Sequence, residues 1–125
     1  MLRIKALAML LGMTLFAGHA AAETRKLEEP AVTVHFDYYP ENLAEIRRLE
    51  HRLEKAIKRA KAGELGETEF HLDGNDGYLY LYGPDADRLY RAARPILKSS
   101  RLMMNADITK EYGSRTETFP MRGAR

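Results

Sequence analysis

Two stretches of alternating apolar and polar residues, joined by a short glycine-rich run, constrain the fold of this chain more than any other feature. In ETEFHLD (67–73), Phe70 and Leu72 alternate with charged residues, and in YLYLY (78–82), leucines alternate with tyrosines. Alternation with a period of two is typical of a β-strand with one buried face. The joining residues GNDG (74–77) tolerate positive φ, so the sequence predicts a tight β-hairpin.

Two further strands are predicted, one before and one after this hairpin. The stretch AVTVHFDY (31–38) alternates, with Val32, Val34 and Phe36 expected to point inward. The stretch from Met103 to Tyr112 is predicted as the final strand, and its inward-facing residues are expected to be Met104, Ala106 and Ile108.

Two amphipathic helices are predicted between the strands. The first begins at Pro40 and Glu41 and ends before Gly63, and its apolar stripe consists of Leu43, Ile46, Leu49, Leu53, Ala56, Ile57 and Ala60. The second has Gly83 near its N-cap and Pro84 in its first turn, has a kink at Pro95, and buries Ala86, Leu89, Tyr90, Ala93, Ile96 and Leu97.

The element order βαββαβ predicts a ferredoxin-like α+β sandwich. We expect a four-stranded antiparallel sheet in the order 4-1-3-2 with both helices on one face, formed by residues 31–113. A dimer in which the last strand pairs with a neighbouring copy is an alternative, and the oligomeric state is left open.

The first 22 residues have the pattern of a signal peptide. Arg3 and Lys5 precede an apolar run of about a dozen residues, and Ala20–Ala22 fits the small-residue cleavage rule. We therefore expect a periplasmic or secreted protein with a flexible lead-in at 23–30 and a flexible tail at 114–125. Cleavage would leave 18 Lys and Arg against 18 Asp and Glu, so no attraction to nucleic acid or to a membrane is expected.

The candidate binding surface is the sheet face that the helices leave open. Its centre is a row of tyrosines, which supply rigid amphipathic anchors at protein interfaces, and acidic residues border it. The residues that we expect on this surface are Tyr78, Tyr80, Tyr82, His35, Asp37, His71, Asp73 and Asp107. They favour a protein partner, bound by a module of the immunity or inhibitor type.

Other functions have weaker support in the sequence. Two His-x-Asp pairs, His35 with Asp37 and His71 with Asp73, suggest weak divalent-metal binding as the alternative function, but two ligands at each fall short of a zinc site. Asp73, Asn75 and Gly77 mimic only the start of a calcium loop. The chain has no cysteine and no GxSxG, HExxH or phosphate-loop motif, so we expect neither an enzyme nor a cofactor.

The segment DGYLYLYGPDAD (76–87), followed by Leu89 and RPIL (94–97), resembles a family of small bacterial α/β proteins without an assigned activity. The resemblance covers roughly residues 31–113 and implies the same fold and no particular chemistry. Family members typically end the last strand with a basic residue, Tyr and Gly. Here Glu111 precedes Tyr112 and Gly113, so an acid stands where the family has a base.

Overall fold

The structure is a computed structural model that describes residues 29–122. The expected signal peptide at 1–22, residues 23–28 of the lead-in and the last three residues of the tail lie outside the described residues. Between residues 29 and 122, no helix is both long and apolar enough to cross a membrane.

The chain is an α+β protein with two α-helices and an antiparallel sheet of six strands. The helices are α1 (Leu43–Arg59) and α2 (Ala86–Lys98). The strands are β1 (Val32–Asp37), β2 (Glu64–Leu65), β3 (Glu69–His71), β4 (Asp76–Tyr82), β5 (Asp107–Glu111) and β6 (Thr116–Pro120). Short 3₁₀ turns at Pro40–Asn42 and Arg101–Met103 precede α1 and follow α2.

The sheet runs in the order β2-β4-β1-β5-β6, and β3 also pairs with β4. The expected count of four strands is therefore wrong, for two reasons. One added strand, β2 (Glu64–Leu65), precedes the predicted second strand at 67–73, of which only Glu69–His71 forms β3. Between the two, the Thr68 hydroxyl donates to the Glu50 carboxylate of α1. The other added strand, β6, comes from the predicted tail.

The expectation of a flexible tail from residue 114 is corrected by β6, which pairs with β5 along its whole length. Phe119 packs edge-on against the Tyr90 ring of α2, at 5.5 Å between centroids. Met121 follows as a buried residue, and its N–H donates to the Ala106 carbonyl over 2.8 Å. The segment has few apolar residues, and the prediction therefore overlooked Phe119 and Met121, which pack it against the rest of the fold.

One hydrophobic core lies between the helices and one face of the sheet. Strand alternation and the helical stripe direct apolar side chains into the same layer, where burial stabilises them by about 25 cal/mol per Å² of apolar surface. The sheet contributes Val32, Val34, Phe36, Leu79, Leu81 and Ile108, and the helices contribute Ile46, Leu49, Leu53, Ile57, Leu89, Tyr90, Ala93 and Leu97.

The β3–β4 turn lies earlier than the sequence predicts. It spans residues 72–75, Asn75 takes the positive φ of 55°, and Gly77 is buried inside β4. A Cβ on Gly77 would lie 2.8 Å from the Phe36 ring, so this glycine serves close packing and not the turn. As a consequence Leu72, expected to point inward, is exposed in the turn.

Other element ends also differ from the expectation. Leu43 and Met104, expected in the core, are exposed, and Met103 is buried in place of Met104. Asp85 caps α2, because its carboxylate accepts from the Arg88 backbone N–H over 3.1 Å, where Gly83 was expected near that role. After α1, Lys61 has a positive φ of 54°, and Gly63, before which the helix was expected to end, has a positive φ of 148°.

Candidate functional site

The alternation in β4 divides its side chains between the two faces of the sheet. Leu79 and Leu81 are fully buried beneath the helices. Tyr78, Tyr80 and Tyr82 lie on the opposite side, which we call the outer face, and each is half-buried. The tyrosine row therefore lies where the sequence predicts it, on a strand that has neighbours on both sides.

Two histidines from different strands converge on one carboxylate at the edge of this row. β4 lies between β1 and β3, and the registers pair Asp76 with His71 of β3 and set it diagonally across from His35 of β1, which is opposite Tyr78. His35 Nε2 donates to Asp76 Oδ2 over 2.7 Å, and His71 Nδ1 lies 3.5 Å from Asp76 Oδ1. The two histidines lie on strands that flank β4, and a residue of β4 bridges them.

His71 also bonds to a second carboxylate. Its Nε2 lies 2.6 Å from Glu69 Oε2, and the Tyr80 hydroxyl donates to Glu69 Oε1 over 2.5 Å. The chain of contacts therefore runs His35–Asp76–His71–Glu69–Tyr80 and joins three strands. We call these five residues the outer-face network.

One oxygen of the network lacks a hydrogen-bond donor. Asp76 Oδ1 is buried and makes no hydrogen bond, although His71 Nδ1 is close to it. A neutral His71 that donates from Nε2 to Glu69 turns the lone pair of Nδ1 toward this oxygen, whereas a protonated His71 presents N–H groups to both carboxylates. The arrangement therefore favours the imidazolium form.

The pKa directions follow from this geometry. The hydrogen bond to Glu69 is the main cause that raises the pKa of His71 above 6.5. The Tyr80 hydrogen bond is the main cause that lowers the pKa of Glu69, and the His35 hydrogen bond lowers that of Asp76. Desolvation, followed by the bond to Glu69, raises the pKa of Tyr80 to about 12, so its hydroxyl remains a donor at neutral pH.

The aromatic rings of the outer face support one another. The His35 and Tyr78 rings are stacked at 4.5 Å between centroids, and the His71 ring meets Tyr78 edge-on at 5.4 Å. Tyr78 and Tyr80 are nearly parallel at 6.1 Å. Such contacts restrict side-chain rotation before any partner arrives.

The other expected site residues lie around this centre. Asp37 and Asp107 are exposed, at the end of β1 and the start of β5, and Asp73 is exposed in the β3–β4 turn. Among the described residues, no group of three or more His, Cys, Asp or Glu is placed to hold a metal ion. Each histidine pairs with Asp76 or Glu69, not with the aspartate two residues after it.

Sequence reasoning missed Asp76 as a site residue because it assigned this position to the hairpin turn. The sequence pattern did contain this information, because Asp76 is two residues before Tyr78. Extending the alternation of β4 by one step toward its start places Asp76 on the outer face. Glu69 was expected on this face but without a role. Its bonds to His71 and Tyr80 make it a second centre of the network.

A cleft of about 790 Å³ lies at the other end of the sheet, beside the start of α2. Asp87 on its wall accepts from Lys110 Nζ over 3.0 Å and from the Tyr112 hydroxyl over 2.5 Å. These bonds hold β5 to α2, and the hydrogen bond to Asp87 raises the pKa of Tyr112 to about 12. Asp87 and Tyr112, two polar residues of this cleft, are therefore engaged by contacts within the fold.

Comparison with protein-family models, with curated proteins and with solved structures finds no match to this chain. The outer face and its network are therefore interpreted from their own chemistry.

Proposed function

We propose that this protein is a small, non-enzymatic binding module whose outer sheet face docks on a basic surface of another protein. The observation that carries this proposal is the row of Tyr78, Tyr80 and Tyr82 on the side of the sheet away from the helices. Tyrosine is enriched at the centres of protein interfaces because its ring buries apolar area while its hydroxyl stays hydrogen-bonded.

The rigidity of the tyrosine row supports this role. Tyr78 is held between two imidazoles, and Tyr80 is fixed by its hydroxyl on Glu69. A Cβ on Gly66 would lie 2.6 Å from the Tyr82 ring, so this ring is covered on one side by the edge of the sheet. Anchors that are already ordered lose less conformational entropy on binding, which favours affinity.

The charge of the outer face indicates the sign of the partner. The strand residues on this face include Asp37, Glu69, Asp76, Asp107 and Glu111, and no Lys or Arg of the described strands shares it. Lys110 of β5 points to the helix side, where its Nζ lies 5.0 Å from the centre of the Tyr90 ring. A partner that presents Lys and Arg would find complementary charge here.

The non-enzymatic part of the proposal rests on how the titratable groups are used. In the outer-face network, the donors of both histidines and of Tyr80 point to carboxylates of the same network. A catalytic base needs its proton-accepting atom directed at a substrate, together with a nucleophile or a bound water. His35 pairs with Asp76 and not with Asp37, and this network contains no hydroxyl nucleophile other than a tyrosine.

The finer fold assignment and the location belong to the same proposal. We infer a ferredoxin-like relationship in which β2 and β3 act as one interrupted edge strand and β6 is an addition. The pairing of β1 with both β4 and β5 supports it. The leader-like pattern of residues 1–22 supports an exported protein of the immunity or inhibitor type.

The test compares two charge-reversed baits with the wild-type chain in pulldowns from periplasmic extract. Asp37→Lys/Asp107→Lys changes the outer face, and Glu45→Lys/Glu54→Lys makes the same change in net charge on α1. Proteins that the wild type enriches should be lost from the first bait and kept by the second, because only the first repels a basic partner. Equal recovery on all three baits would contradict the proposal.

A further inference from the structure

The helices and the sheet of this protein carry opposite charge. Residues 40–62, around α1, hold seven Lys and Arg against four Asp and Glu, and residues 84–103, around α2, hold five against two. The helical layer thus has a surplus of six positive charges. The other described residues hold three Lys and Arg against ten Asp and Glu, a surplus of seven negative charges. Although the net charge of the described residues is near zero, the positive and negative charges are on different parts of the molecule.

Four cations form one stripe along the solvent side of α1. Arg48, Arg52, Lys55 and Arg59 recur at intervals of four, three and four residues, and each is exposed. This spacing keeps them on one face of a helix with 3.6 residues per turn, opposite the buried Ile46–Ile57 stripe.

The second helix extends this surface. Arg91 and Lys98 are exposed on α2, away from the residues it buries. The end of α1 lies beside the start of α2, where the Arg88 guanidinium donates to the Ala60 carbonyl over 2.7 Å. The two helices therefore form one layer, and we call Arg48, Arg52, Lys55, Arg59, Arg91 and Lys98 the basic helix face.

Two acidic residues of α1, Glu50 and Glu54, lie beside other groups, and Glu45 lines a cleft with Arg48 and Arg52 without a salt bridge to either. Glu50 accepts two bonds from Arg47 and one from Thr68, on the flank beside β3. Glu54 Oε2 lies 3.8 Å from Lys58 Nζ. Between residues 29 and 122, none of the six cations of the basic helix face lies within 4.0 Å of a carboxylate oxygen.

We propose that the basic helix face adsorbs to an anionic phospholipid surface. A layer of two helices presents its cations to a plane together, and each Lys or Arg close to an anionic leaflet contributes roughly 1 kcal/mol. Adsorption of this kind needs charge alone, whereas a protein interface needs an apolar centre that this face does not have. Tyr90, the one Phe, Tyr or Trp of α1 and α2, is buried, and His51 carries the one exposed ring, so these helices offer no row of rings on which successive nucleic-acid bases could stack.

The acidic outer face does not cancel this attraction. It lies on the other side of a helix layer about 10 Å thick, and the Debye length at physiological salt is about 8 Å, so its repulsion is screened at the membrane. Adsorption through the helices would leave Tyr78, Tyr80 and Tyr82 directed away from the lipid. That orientation, unlike the adsorption itself, rests on the proposed function of the outer face.

The test measures binding of residues 23–125 to vesicles. All core residues of the described chain lie between Ala31 and Met121, so this fragment contains the whole core and lacks the apolar leader, which would itself bind lipid. We expect sedimentation with vesicles that contain phosphatidylglycerol, no binding to pure phosphatidylcholine, and release in high salt. Arg52→Glu/Lys55→Glu should lower the partition coefficient by about tenfold or more.

The matched control is Arg115→Glu/Arg122→Glu, which makes the same change in net charge at exposed positions outside both helices and should bind like the wild type. If circular dichroism shows that Arg52→Glu/Lys55→Glu is unfolded, Arg52→Gln/Lys55→Gln replaces it and should also lower the partition coefficient. Equal binding to both lipids, or an equal loss in the control, overturns the proposal. Retention on duplex DNA without binding to anionic vesicles also overturns it. If the wild-type fragment does not bind anionic vesicles but keeps its pulldown partners, this proposal is overturned and the proposed function is unaffected.

Discussion

At the scale of single residues, Asp76 is the position on which the outer face depends. Its carboxylate accepts from His35 through Oδ2, and Oδ1 faces His71, which can donate to Asp76 and to Glu69 at the same time only when it is protonated. A buried acceptor without a donor is unfavourable, since it has lost its contact with water. Protonation of the His71 imidazole is therefore coupled to the side-chain contacts that join β1, β3 and β4.

We expect the pKa of His71 to lie above 6.5, and a proton NMR titration of the imidazole resonances measures it. Glu69→Gln should lower this pKa most, because the bond to Glu69 is the main cause of the rise. Asp76→Asn should lower it by less. A His71 pKa that is unaffected by Glu69→Gln would show that this hydrogen bond does not form in solution.

The free energy of unfolding should vary with pH because of His71, Glu69 and Asp76. Because the His71 pKa is raised by folding, its contribution is fully present below pH 6.5 and is lost as pH rises through the folded value. Because the pKa values of Glu69 and Asp76 are lowered, their contributions are present above 4.5 and 3.8 and are lost as pH falls through the folded values. Urea unfolding should therefore show their combined contribution at its largest between those limits, and His71→Gln should remove the loss of stability on the alkaline side.

At the scale of elements, β6 extends the sheet beyond the expected domain. Its hold on the fold comes from Phe119 against Tyr90 and from Met121 in the core. Lys110 lies beside both rings, with Nζ 5.5 Å from the centre of Phe119. Residues 114–122 are therefore part of the folded domain and not an appendage.

Met121→Ala should lower the free energy of unfolding by roughly 2–5 kcal/mol, because it leaves a cavity where a buried methionine packs. For a domain of this size, each kcal/mol corresponds to a Tm shift of about 4–8 °C. Thermal and urea unfolding measure both quantities. Arg122→Ala, at the exposed neighbouring position, should be close to neutral, and a Met121→Ala variant as stable as Arg122→Ala would contradict the packing of the tail.

At the scale of the whole molecule, the separation of charge is the main property. The helical layer is basic and the sheet side is acidic, although the two sets nearly cancel. Opposite faces of this kind orient a protein at a charged surface even when its net charge is near zero. The sign of the charge on the partner proposed for each surface follows from this single property.

At neutral pH and low salt, residues 23–125 should be retained on both cation-exchange and anion-exchange columns, because each resin meets one face. Arg52→Glu/Lys55→Glu should weaken retention on the cation exchanger and leave binding to the anion exchanger. Asp37→Lys/Asp107→Lys should do the reverse. Retention of the wild type on neither resin would show that the two sets of charges are not separated in solution.

The amino-acid sequence by itself determined the type of most elements and the direction of their side chains. Alternation placed Tyr78 and Tyr80 opposite Leu79, and the helical stripe placed Ile46, Leu49 and Leu53 inside. These features depend on periods of 2 and 3.6 residues that the backbone imposes locally, so neighbouring residues suffice to reveal them.

Only the tertiary structure decided which distant residues meet. His35 and Asp76 are 41 positions apart, and their contact depends on the register of β1 against β4. The attachment of β6 rests on two residues, Phe119 and Met121, that find partners on α2 and in the core. The separation of charge likewise arises only when both helices pack on the same side of the sheet. Register and packing are set by contacts between distant segments, and a local pattern does not encode them.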